Sequence, residues 1–212
     1  MAMISKIKLV FSATVIVATT EWLEKIVIGL NLCPFAKAVH VKNQIRYVVS
    51  SANNSDVLLA DLKRELCLLV AADPEQIETT LLIHPEVLSD FVEYNDFLSV
   101  CDSAIEELEM DGILQVASFH PQYQFADTEI DDVTNYTNRS PYPMLHLLRE
   151  ANVTRALESF PDAAGIYQKN IATLQKLGKV RVDAISATFT HVTSTKETLM
   201  KQERLPGSID GQ

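Results

Sequence analysis

TTLLIHP, residues 79–85, and ILQVASFHP, residues 113–121, decide the fold. Each is a short run of apolar and β-branched residues that stops at a His-Pro, which is how a strand between turn signals reads. A third run, IRYVVSS (45–51), precedes them. The intervals carry helix patterns. In NNSDVLLADLKRELCLLVAADP (53–74), Asn54 and Ser55 are cap candidates, Leu58, Leu62, Leu66 and Leu69 share a face, and Asp73-Pro74 is a stop. LSDFVEYNDFLSVCDSAIEELEMDG (88–112) keeps the helical period through Phe91, Tyr94, Leu98, Cys101, Ile105 and Leu108. Strand, helix, strand, helix, strand predicts an α/β domain whose small, mainly parallel sheet is packed by helices.

Outward from this centre, TTEWLEKIVIGLNLCPFAKA (19–38) is predicted to be a helix that ends at Cys33, because Pro34 disfavours helical geometry before it. After His120 the chain turns polar and acidic over QYQFADTEIDDVTNYTNRSPYP (122–143), an unusually long connection of the kind that often carries function. MLHLLREANVTRALESF (144–160) and AAGIYQKNIATLQKLG (163–178) are expected as C-terminal helices, broken at Pro161-Asp162. VRVDAISATFTHV (180–192) is a candidate strand, and LPGSIDGQ (205–212) is expected to be disordered. The organisation expected is a leader at 1–19, one domain at 20–178 and a C-terminal extension at 179–212.

With 212 residues, 47% hydrophobic and 22% charged, the chain suits one domain with a sizeable core. A net charge of −10 and the lack of a basic stripe argue against nucleic acid as a partner. The three cysteines are widely spaced and odd in number, which fits a reducing cytoplasm. The start, MAMISKIKLVFSATVIVA (1–18), has the lysines and apolar run of a secretory signal; its alternative reading is an ordinary buried helix. Its apolar run is shorter than the roughly 20 residues a bilayer span needs, so no stable membrane insertion is expected.

Chemistry is expected outside the carboxyl ends of the strands, where parallel sheets bind ligands. His84 and His120 both leave a strand there, although a His-Pro also serves simply to turn the chain. Tyr123 and Asp127 follow His120 closely. Arg139 precedes the expected helix, on which His146 and Arg149 share a face; two arginines at a helix start suit an anion. Cys33, at a helix C-terminus where the dipole opposes thiolate, reads first as packing. Asp127, Glu129, Asp131 and Asp132 lack calcium-loop spacing. There is no phosphate-binding glycine loop, GxGxxG, HExxH or GxSxG.

VIGLNLCPFA (27–36), VASFHPQYQFA (116–126) and NRSPYPMLHLLRE (138–150) together resemble the domain-of-unknown-function family 1415, over about Thr20 to Gly178. The resemblance brings no established activity. Its motifs emphasise Asn31, Cys33, Pro34, Phe35, His120, Pro121 and Tyr123, and then Asn138, Arg139, Ser140, Pro141, Tyr142, Pro143, His146 and Arg149.

The expectation is a small-molecule enzyme working by His/Arg acid–base chemistry on an anionic substrate at the carboxyl edge of the sheet. His120, His146 and Tyr123 would be catalytic, and Asn138, Arg139 and Arg149 would bind substrate. One alternative is a metal site, of zinc, copper or iron, drawing ligands from His120, His146, His84 and Cys33. The other is a non-catalytic binding or scaffold protein that uses the long loop as its surface. The sequence names no cofactor and no oligomeric state.

Overall fold

The computed structural model of the protein describes residues 2–158 and 163–190. The expected break at Pro161-Asp162 and the expected disordered tail lie outside them. A four-stranded sheet forms from β1 (Ile45–Val49), β2 (Thr79–Ile83), β3 (Leu114–Phe119) and β4 (Met144–Arg149), in the order β1-β2-β4-β3. β1 and β2 are parallel, while β4 runs antiparallel to both β2 and β3. The sheet is therefore mixed, with one parallel pair rather than mainly parallel pairing.

The difference comes from residues 144–149, expected as a helix and found as a strand in the middle of the sheet. Leu145 and Leu147 turn to one hydrophobic layer and Met144 to the other, so both faces are buried. A strand covered on both sides shows a near-continuous apolar run instead of alternation, and a short run of that kind does not differ in pattern from a buried helix.

On one face lie α3 (Ser55–Ala71) and α4 (Phe91–Glu107), which bring Leu58, Leu62, Leu66, Leu69, Tyr94 and Cys101 against Leu82, Leu145 and Leu147. Their starts are capped by side chains: Asn54 accepts from the Val57 N–H at 3.0 Å, and Asp90 from the N–H groups of Val92 and Glu93. On the other face, α1 (Ala2–Trp22) and α7 (Lys179–Thr190) contribute Val15, Ala18, Trp22, Val182 and Phe189 to a second core, with Leu81, Ile83 and Met144. α5 (Glu150–Glu158) and α6 (Ala163–Leu177) lie between β4 and α7 in the chain. Of the candidate strand at 180–192, the described part, 180–190, is helical. Gly178, in the left-handed region at φ +76°, separates α6 from α7.

The N-terminal helix extends back to Ala2, beyond the expected boundary at 19, and buries Val15 and Ala18. After Trp22 it widens into a π-helical turn, Leu23–Ile28. Gly29 ends that turn, and a Cβ there would stand 2.4 Å from the carbonyl oxygen of Lys25. Gly29→Ala is therefore expected to cost about 1–3 kcal/mol in urea denaturation through overpacking; an unchanged midpoint would refute the close approach. Asn31 follows at φ +54°, a conformation Asn tolerates better than most residues. The chain then passes Cys33 into a short helix, α2 (Ala36–Val41).

Candidate functional site

The motif residues divide between the two faces of the sheet. β2 and β3 run in the same direction with β4 between them, so His84 and His120 do emerge at one edge, on the α3/α4 side. The Tyr94 ring lies between them, its centroid 5.8 Å from His84 and 5.0 Å from His120. Phe91 packs on His120 at 5.4 Å and on Tyr123 at 5.2 Å.

Hydrogen bonding occupies most of these polar atoms. The Gln122 N–H donates to His120 Nδ1 at 3.0 Å, which leaves Nε2 to carry the proton it donates to the Leu88 carbonyl at 3.2 Å. Neither ring nitrogen is open to a substrate proton. Tyr94 donates to the Met144 carbonyl at 2.9 Å and accepts from the Phe119 N–H at 3.0 Å. His84 Nδ1 donates to the Val87 carbonyl at 3.0 Å, while its Nε2 is buried with no partner among the described residues. Burial lowers the pKa of both imidazoles, that of His84 to about 4, so both are neutral at pH 7.

The arginines are engaged as well. Arg139 donates through Nε to the Tyr123 carbonyl at 3.1 Å and through Nη2 to that of Ile130 at 2.6 Å, with its guanidinium 5.0 Å from the centre of the Tyr136 ring. Arg149 is on β4, where its Nη2 faces the carbonyls of Leu69, Ala72 and Ile77 and caps the C-terminal end of α3. Asn138 donates from Nδ2 to the Ser118 carbonyl at 3.0 Å, and its own carbonyl accepts from the His120 N–H. The long connection is closed by a short 3₁₀ turn, Val133–Thr137, and by Asn135. The fully buried Asn135 accepts from the Phe125 N–H and the Thr128 hydroxyl and donates to the Glu129 carbonyl. Its role was not foreseen from sequence; a polar residue inside a polar loop carries no pattern that marks it.

His146 is on the opposite face from His120. It sits mid-strand on β4, in register with Leu81 and Ala117, and its ring meets Phe119 at 6.0 Å. There it lines a cavity of about 250 Å³ between the sheet and the chain from Trp22 to Val39. The expected helical face shared by His146 and Arg149 does not exist; as strand residues of odd separation they point to opposite faces, yet both border this cavity. Cys33 lines it too, together with Glu78, Thr79, Gln115 and Asn152. The cavity covers the starts of β1 and β2 and the end of β4, away from the carboxyl edge of the parallel pair.

Thr79 fixes the His146 ring. Its hydroxyl donates to the Leu147 carbonyl at 2.6 Å, so at the 2.7 Å contact with His146 the proton belongs to Nε2. Nδ1 is thereby left with a free lone pair, and no hydrogen bond reaches it among the described residues. Burial lowers this pKa to about 4 as well, which keeps the ring neutral. Asn152 Nδ2 holds the Glu78 carboxylate.

The four metal candidates split into His84 with His120 on one face and His146 with Cys33 on the other. Among the described residues no three His, Cys, Asp or Glu side chains converge to hold an ion. Nor is any helix there long and apolar enough to cross a membrane.

No curated protein and no solved structure matches the chain. The family model described as "Protein of unknown function (DUF1415)" matches residues 14–184, six residues further at each end than the resemblance over Thr20 to Gly178, and the chain belongs to that family.

Proposed function

We propose that the protein is a small-molecule enzyme whose substrate occupies the cavity over β4, with His146 as the acid–base group. The observation that carries this reading is the His146 ring itself: Nε2 is held by Thr79, and Nδ1 keeps an unshared pair beside an otherwise carbon-lined space. An imidazole whose tautomer and orientation are fixed by a second residue is prepared to accept a proton in a set direction. Cys33 and Phe35, which also line the cavity, agree with the emphasis that the family motifs place on the first segment. Support for an anionic substrate is weaker, because Arg139 and the Arg149 Nη2 already serve backbone carbonyls.

The test is turnover of a metabolite pool followed by mass spectrometry. Wild type is expected to consume at least one compound. His146→Gln should slow that reaction at least about a hundredfold, and Leu148→Trp, which fills the cavity, should abolish it. Consumption undiminished in His146→Gln would sink the assignment. A compound retained by wild type but never consumed would favour the binding-protein alternative.

A further inference from the structure

We infer that the ligand of this cavity is a neutral, planar molecule of bicyclic size carrying one hydrogen-bond donor, which His146 Nδ1 accepts. The inference rests on the cavity reading above and names the ligand class. Size is the first argument. An apolar cavity of roughly 150 Å³ takes up a benzene ring, and this one, at about 250 Å³, has room for a second fused ring.

The second argument is the wall. Trp22, Phe35 and Phe119 present aromatic rings, with Trp22 and Phe119 in edge contact at 5.3 Å, and Leu23, Val27 and Leu148 complete an apolar lining. Aromatic walls favour stacked or edge-on aromatic guests.

Charge is the third. Arg149 is the one Lys or Arg among the lining residues; its Nη2 is bonded to carbonyls and its Nε is buried beyond the reach of water. A carboxylate or phosphate would enter a largely carbon-lined space, next to Glu78, where the one cation already spends Nη2 on three carbonyls. A cation would find only Glu78, whose carboxylate already accepts from Asn152. Burying an unpaired charge costs far more than burying a neutral ring. On His146 the atom left for a guest is Nδ1, whose lone pair accepts and does not donate.

Isothermal titration with four probes of one shape tests this: 1-naphthol, 1-fluoronaphthalene, 1-naphthoate and 1-naphthylmethylammonium. Wild type is expected to bind 1-naphthol about tenfold more tightly than 1-fluoronaphthalene, the worth of one hydrogen bond, and both ions more weakly still. In His146→Leu the tenfold preference should disappear while 1-fluoronaphthalene still binds. An ion that binds wild type as tightly as 1-naphthol overturns the inference, as does equal binding of 1-naphthol and 1-fluoronaphthalene; neither comparison depends on a variant folding. If binding is lost in Leu148→Trp but shows no hydroxyl preference in wild type, this inference fails and the cavity reading stands. If none of the four probes binds wild type, this inference fails, and the turnover test decides the cavity reading.

Discussion

Acidification from neutral pH to about 4 is expected to remove at least about 3 kcal/mol of stability, most of it below pH 6.5. The sign follows from two neutral histidines, His84 fully buried and His146 half-buried beside the cavity. His84 has a pKa near 6.5 when exposed in the unfolded chain and about 4 when folded, and burial is the main cause. Between those values the unfolded chain takes up a proton that the folded chain refuses, so stability complete above pH 6.5 is lost as the pH falls to 4. That difference is worth about 3 kcal/mol, and His146 adds to it in the same direction. A domain of this size has about 5–15 kcal/mol in total, so acid unfolding should begin well before the carboxylates are fully protonated. Urea midpoints measured across this range are the check. His84→Phe should flatten the slope, and a wild-type stability constant between pH 6.5 and 4 would contradict the lowered pKa of both rings.

His120→Ala should lower stability by about 3 kcal/mol without changing the cavity. The ring packs on Tyr94 and Phe91 and joins the start of the long loop to Leu88. Its loss removes an aromatic-sized side chain and leaves the Leu88 carbonyl and the Gln122 N–H without their partner. For a chain of this length the melting temperature should fall by about 6–12 °C. Titration of wild type and variant with 1-naphthol, below the melting point of each, should give the same affinity, because the cavity is on the opposite face of the sheet. A variant as stable as wild type would disprove the locking role, and one that was stable but no longer bound the probe would return His120 to the functional site.

Both experiments turn on how the sequence distributes its chemistry. The motif residues stand out in the sequence as a set, and a set suggests one site. The fold uses them for two tasks: His120, Asn138 and Arg139 fasten a long loop to the strand ends, while His146 and Cys33 border a cavity. Motifs record that a residue type is required, and a loop-fastening hydrogen bond requires it as strictly as catalysis does.

By itself the sequence determined three strands, the helices between them and the Asn54 cap, because periodicity, Asn54 and the Pro breaks act within a few residues of one another. It also placed His84 and His120 at strand ends, and the common direction of β2 and β3 on either side of β4 brings both to one edge. Only the tertiary structure decided that residues 144–149 form a strand. Their apolar run suits a helix or a doubly covered strand equally, and what selects the strand is the gap between β2 and β3 with backbone groups open on both sides. The same insertion turns His146 away from His120 and toward Thr79, 67 positions earlier in the chain. No local pattern encodes that partner. The cavity exists because a sheet, a π-helical turn and Trp22 meet there.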